Sequence, residues 1–330
     1  MGNDGPLARF RDRLKLPLIA APMFLVSGVD LVVAACRNGV IGAFPTVNCR
    51  STEQLDGWLS DIKGRLRGHE DAHGEPAAPV CPNLIVHRSN ARLAEDLAVL
   101  RWQKCVLVIT SVGSPAPVVA PLHDAGALVL ADVASIRHAE RALEAGADGL
   151  VLLTAGAGGQ TGWLNPFSFV RAVRAFFAGP IVLAGGISDG HALRAAQTLG
   201  CDLAYMGTKF IATRESMADE RYKAMLVASD ADDILLTTAF TGLQTNMLKP
   251  SIVGAGLDPD NMPDRGTIEI GKDIDVVARE AQPKRWRDIW SAGHSTSGVT
   301  EVLGVGELVA RTLAEYRAAD AEIRSHQTPA

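Results

Sequence analysis

Short apolar runs recur along the chain with polar, helix-compatible stretches between them. They begin near Leu18, Val40, Val80, Cys105, Ala127, Gly149, Ile181 and Leu203, at start-to-start intervals of 22, 40, 25, 22, 22, 32 and 22 residues. Intervals of that size hold a strand, two turns and a helix, and strands covered on both faces read as continuous Val/Ile/Leu runs rather than as alternation. Eight such units predict a closed (β/α)8 barrel, the TIM-barrel form of the α/β class. An open doubly wound sheet of the same elements is the alternative. Against it, Gly156-Ala-Gly158-Gly159-Gln-Thr-Gly162 misses the dinucleotide fingerprint, because Thr161 stands where the third glycine belongs.

The local pattern of one unit is plain. Ala127 to Leu130 reads as a strand, Ser135 caps the next helix, Ile136, Ala139 and Leu143 share a face, and Gly146 ends the helix before the following strand. The two long intervals carry insertions: the polar run from Lys63 to Pro79, read as a flexible loop, and the glycine-rich run from Thr154 to Trp163. From about Ser216 the rhythm breaks. Arg221 to Leu226 reads as a helix, Ile234 to Phe240 as a strand, Leu243 to Gly256 as an irregular loop, and Lys284 to Trp290 leads through Ser291 to Gly298 into an amphipathic helix from Val305 to Tyr316. The expectation is a barrel over residues 1–215 and a smaller, mostly helical lid or substrate-binding subdomain over 216–330.

Composition changes the picture mainly by exclusion. A chain of 330 residues that is 47% hydrophobic and 21% charged holds one large core plus an accessory segment. Its net charge of -5 gives no general attraction to nucleic acid or to an anionic membrane. No apolar run reaches spanning length and the first residues lack the regions of a signal peptide, so a cytoplasmic protein is expected. The five cysteines are scattered without metal-ligand spacing, and Cys81, Cys105 and Cys201 lie in or beside apolar runs as small hydrophobes.

Candidate chemistry concentrates at two neighbouring strand ends. Pro180-Ile-Val-Leu-Ala-Gly185-Gly186 is followed by Ser188 or Asp189 as cap of a helix from His191 to Leu199, stopped at Gly200, and Asp202 to Met206 runs into Gly207-Thr208. In a barrel, the loops after strands seven and eight form a frequent phosphate site, since bare backbone amides attract an anion there. A phosphorylated cofactor is the expected ligand. The turn Ser291 to Gly298 could reach the barrel mouth as a second anion contact, although ordinary turn chemistry accounts for its composition equally well.

With these motifs in order, the chain resembles the nitronate monooxygenase (2-nitropropane dioxygenase) family of FMN-dependent TIM-barrel oxidoreductases, related to the flavin-dependent enoyl-acyl-carrier-protein reductase. The resemblance rests on Ala20-Ala21-Pro22-Met23, Asn83 in Cys81-Pro-Asn-Leu, Ala157-Gly158-Gly159-x-x-Gly162, Ala184-Gly185-Gly186, Met206-Gly207-Thr208 through Glu215, and Asp288-Ile-Trp-Ser-Ala-Gly293. It implies FMN. Ala21, Pro22 and Met23 would then lie beneath the ring, Asn83 would bond the ring or ribityl chain, and Gly185, Gly186, Met206, Gly207 and Thr208 would surround the phosphate, with Gly158 and Gly159 nearby.

The departures from the family pattern bear on chemistry. Where the family places a histidine as base α to the nitro group, this chain has Gln160, which can hold a polar group but cannot exchange its proton near neutral pH. Asp132 occupies a position where some relatives carry a lysine facing the cofactor. Substitute proton carriers are His87, just past Asn83, and His294 in the late turn. His123, His138 and His191 read as solvated, and His69 and His73 as loop residues without a third ligand, so no metal is expected. Two outcomes stay open. One is a flavin oxidoreductase, acting on a nitronate or, with NAD(P)H as electron donor, on an enoyl or acyl thioester; the other is a degenerate flavin-binding barrel. A small-molecule substrate and a homodimer complete the expectation.

Overall fold

The computed structural model describes residues 5–262 and 288–327. Eight parallel strands close a barrel in the order β1 (Leu18–Ala20), β2 (Ile41–Pro45), β3 (Val80–Ile85), β4 (Leu107–Ser111), β5 (Leu128–Val133), β6 (Gly149–Leu153), β8 (Ile181–Ala184) and β9 (Leu203–Met206), with β9 pairing back onto β1 through Ile19 opposite Tyr205. Every one of the eight sequence-read runs is thus a barrel strand. Alternation sorts their side chains. Ile19, Ile41, Cys81, Ile109, Leu130, Val151, Val182 and Leu203 fill the interior. Leu84, Val108 and Val129 face outward onto helices, as do Leu150 and Leu183. Leu7 and Phe10, from a 3-10 turn before β1, join the interior cluster. Cys36, Cys49, Cys81, Cys105 and Cys201 are all buried free thiols, held protonated by burial.

The helices obey the signals that predicted them. Ser135 caps α5 (Ile136–Glu144) by accepting from the His138 amide at 3.2 Å. For α7 (Gly190–Leu199), Asp189 rather than Ser188 is the cap, accepting from the Ala192 amide at 2.7 Å, and Gly200 ends it at φ +111°.

Three sequence readings need correction. The run from Lys63 is not a loop but the second half of α2 (Thr52–His73): Ser51 caps it, Leu55, Leu59, Ile62 and Leu66 form one buried stripe, and Gly74 stops it at φ +70°. His69 and His73 therefore sit one turn apart on a helix, with stacked rings. The segment Leu243 to Gly256 is not irregular. It contains β11 (Thr245–Leu248), which pairs with β10 (Ile234–Thr237) and with the two-residue β7 (Gly159–Gln160), followed by α10 (Lys249–Gly254). The mostly helical region beyond residue 216 thus also carries a small sheet, which reaches the glycine-rich insertion of the barrel. The helix expected from Val305 to Tyr316 runs on to Gln327. Residues 284–287 of the Lys284 to Trp290 run lie outside the described residues.

Candidate functional site

Asn83, Ser111, Asp132 and Tyr205 continue the inward-facing alternation of β3, β4, β5 and β9 by one step beyond the apolar interior. The barrel therefore changes at its carboxyl end from an apolar core to a polar layer. Above that layer opens a cavity of about 260 Å3, far beyond the ~10–15 Å3 that one ordered water requires. Its wall brings together, from the sequence-read set, Ala21, Pro22 and Met23, Asn83, Asp132, Gly158, Gly159 and Gln160, and Gly185, Gly186, Gly207 and Thr208. Val47, Ile85, Val112 and Leu153 add apolar surface.

Local conformation positions these groups. Asn48, which sequence reading passed over, holds the loop after β1: its Nδ2 donates to the Met23 and Ser27 carbonyls at 3.0 and 2.9 Å, and its Oδ1 accepts from the Leu25 amide at 3.0 Å. Leu25 sits at φ +58°, a strained backbone that this net of bonds secures. Ser111 Oγ donates to Asn83 Oδ1 at 3.1 Å, which leaves the Asn83 NH2 group for the cavity. Gly185 and Gly186 have φ of +123° and +73°, which only glycine adopts in succession without strain.

The glycine-rich insertion is held by backbone contact with the late turn. A Cβ at Gly158 would lie 2.8 Å from Gly293 N, and one at Gly293 would lie 2.4 Å from the Gly156 carbonyl. Packing against the late turn, rather than a ligand, is what demands glycine at 158. Asn246 Nδ2 pins the same insertion by donating to the Ala157 carbonyl at 2.7 Å. Gly293 N in turn donates to Thr208 Oγ1 at 3.0 Å, and Ser291, Ala292 and Ser295 line the cavity. The late turn does reach the barrel mouth.

The structure separates three expected residues from the rest. His87 lies off the cavity wall, its Nδ1 2.7 Å from Ser89 Oγ. His294 is exposed, packed against Gly156 rather than facing the cavity. Met206 points outward into the helix-facing core, because alternation on β9 turns Tyr205 inward; only the Met206 carbonyl serves the site, accepting from the Ala21 amide at 3.0 Å. Like Asn48, Tyr205 was missed by the sequence reading, and the period-two pattern of Leu203 and Tyr205 is the signal that would have found it.

Electrostatically, burial dominates the cavity floor. It pushes the Asp132 carboxyl up to about 8 and holds the Tyr205 phenol well above its ordinary range. Asp132 Oδ1 and the Tyr205 hydroxyl are buried with no hydrogen-bond partner among the described residues. At the opposite side, no described group accepts from the backbone amides of Gly186, Gly207 and Thr208. A Cβ at Gly186 would meet no atom within 4 Å, and one at Gly207 only Ala21 Cβ and Met23 Sδ at 3.6 Å, so a side chain there would take up ligand space rather than clash with protein. Orphaned polar groups on the floor and bare amides at the rim suit a ligand with a polar ring system and an anionic end. The residues fit FMN.

Comparison with known proteins gives a consistent result. A family model described as nitronate monooxygenase matches residues 74–315. The chain is 27% identical, over 93% of its length and 94% of the relative's, to a nitronate monooxygenase of Paraburkholderia phytofirmans. It is 26% identical, over 72% of its length and 64% of the relative's, to a (3aS,4S,5R,7aS)-5-hydroxy-7a-methyl-1-oxo-octahydro-1H-indene-4-carboxyl-CoA dehydrogenase of Mycobacterium tuberculosis. In fold it is similar to FabK from Thermotoga maritima, with a TM-score of 0.77 at 21% identity, covering 98% of this chain and 99% of that one. Among the described residues, no helix is long and apolar enough to cross a membrane.

Proposed function

Since the chain belongs to the nitronate monooxygenase family of flavin-dependent oxidoreductases, we propose that it binds FMN in the barrel mouth and oxidises a small substrate that arrives already anionic, a nitronate. The observation that carries this reading is the amide of Gln160 on the cavity wall, in a site where no histidine lines the wall among the described residues. Bound FMN supplies the two-electron redox chemistry.

The protein's own groups do the rest. The amides of Gly186, Gly207 and Thr208 hold the phosphate, and the Asn83 NH2 group holds a polar edge of the ring system. The Gln160 NH2 group donates to a nitronate oxygen and orients it, but it cannot remove a proton from carbon. Val47, Ile85 and Val112 line the cavity with apolar surface that would limit water around a bound substrate. We assign residues 216–330 the substrate side of the site, because Tyr222, Thr241 and Trp290 close the cavity wall opposite the barrel. Tyr222 and Trp290 are stacked with centroids 4.9 Å apart, and the Tyr222 hydroxyl donates to the Ser291 carbonyl.

A second reading is an NAD(P)H-linked or acyl-thioester-dependent flavin enzyme, and its thioester arm is favoured by the match to the indene-4-carboxyl-CoA dehydrogenase of Mycobacterium tuberculosis. Anaerobic mixing of the FMN-loaded protein separates the two. We expect propionate 3-nitronate to bleach the flavin absorbance, and neutral nitroethane to do so at least about 100-fold more slowly, in line with the 10²–10⁴ that a positioned base contributes. Bleaching by NADPH, NADH or an acyl-CoA ester, with none by the nitronate, would replace the first reading by the second.

A further inference from the structure

The geometry points to a proton-bearing floor in the flavin site: Asp132 in its protonated form and Tyr205 together present the donors that a bound flavin ring accepts, so FMN binds the protonated state of Asp132. This rests on the FMN reading above and extends it to the protonation state of one side chain.

Both residues reach the floor by strand alternation, from β5 and from β9, across the barrel from each other. Beneath them Leu130, Val182 and Leu203 fill the interior, so neither group meets solvent from below. Asp132 Oδ1 and the Tyr205 hydroxyl have no described partner, whereas the neighbouring Asn83 and Ser111 engage one another. The titratable groups that interact with Asp132 inside the barrel are Cys81 on β3 and Tyr205 on β9; burial raises both most, and the negative charge of an ionised Asp132 adds to it. Among the described residues no cation offsets it, and burial is the cause of its displacement. A carboxylate here would keep one oxygen buried without a donor or a counter-charge among the described residues, while a carboxylic acid supplies one O–H donor and the phenol a second. With no acceptor for either group among the described residues, we take the acceptor from whatever fills the cavity above, and a flavin ring carries carbonyl and ring-nitrogen acceptors.

Linkage fixes the consequence. A ligand that prefers the protonated acid loses affinity as pH rises through the carboxyl pKa of the free protein, about 8, by up to tenfold per pH unit. The experiment is FMN binding to the apoprotein by quenching of flavin fluorescence between pH 7 and 9.5, for the wild type, Asp132→Asn and Tyr205→Phe. We expect the wild-type Kd to be flat near pH 7 and to rise roughly tenfold per unit above 8. Asp132→Asn should be flat throughout, and Tyr205→Phe should bind more weakly at every pH while keeping the wild-type slope. Infrared difference spectra of the wild type and Asp132→Asn give a second readout: a protonated carboxyl C=O band present in the wild-type FMN complex at pH 7 and absent in Asp132→Asn. Equal pH profiles in wild type and Asp132→Asn, or no such band, overturn the inference and leave the FMN reading standing. Failure of the wild type to take up FMN at any pH overturns both.

Discussion

On our proposal the Gln160 amide stands where proton abstraction would need an imidazole, and among the described residues no histidine lines the cavity wall. Gln160→His therefore tests the substrate pose directly. If the pocket otherwise holds substrates as the family does, oxygen uptake with neutral nitroethane should rise by about 10²-fold, the low end of what a positioned base contributes, while turnover of the nitronate changes little. Asn48 offers a stability counterpart. Asn48→Ala removes three bonds to the loop carrying Leu25 at φ +58°, and we expect a loss of about 2 kcal/mol in urea unfolding together with weaker FMN retention. Gln160 was legible in the sequence because its neighbours Gly158, Gly159 and Gly162 fix its place in a local motif. Asn48 and Tyr205 were not. Asn48 acts on a loop 21 to 25 residues away, and Tyr205 matters only through its inward parity once the barrel closes.

At the scale of elements, the eight strands could be read because each is buried on both faces and so forms an uninterrupted apolar run. The second half of α2 could not, since Gly64, Gly68 and a polar outer face mask a stripe that only packing reveals. The pairing of β11 with β7 was equally hidden: two residues carry no periodicity, and their ladder joins segments about 85 residues apart. Where α7 meets the last helix, Val305–Gln327, the contact is backbone to backbone. A Cβ on Gly190 would lie 2.1 Å from Tyr316 N and 2.3 Å from the Thr312 carbonyl. The helix must shift to admit a methyl group, and Glu315 would then lose its bond from the Gly190 amide. We expect Gly190→Ala to destabilise the protein by about 1–3 kcal/mol in chemical denaturation, the range for overpacking. Asp189→Ala, which removes only the cap, should lose about 1 kcal/mol.

For the whole molecule, the protonation of one floor residue couples the site to global stability. The Asp132 carboxyl titrates at about 8 when folded and near ~3.9 when unfolded, so between those values the folded protein keeps a proton that the unfolded chain has released. Its contribution is fully present below pH ~4 and is lost as pH rises toward 8. Thermal unfolding of the apoprotein should show Tm falling over that window more steeply in the wild type than in Asp132→Asn. The same architecture places its anion donors at one rim and its orphaned polar groups at the floor, and that polarity is the core of the functional account. Titration calorimetry of the apoprotein with FMN and with riboflavin tests it most directly. We expect one FMN bound per chain and riboflavin held at least about 100-fold more weakly, because only FMN brings a phosphate to the amides of Gly186, Gly207 and Thr208. Equal affinity for the two, or no uptake of either, would contradict it.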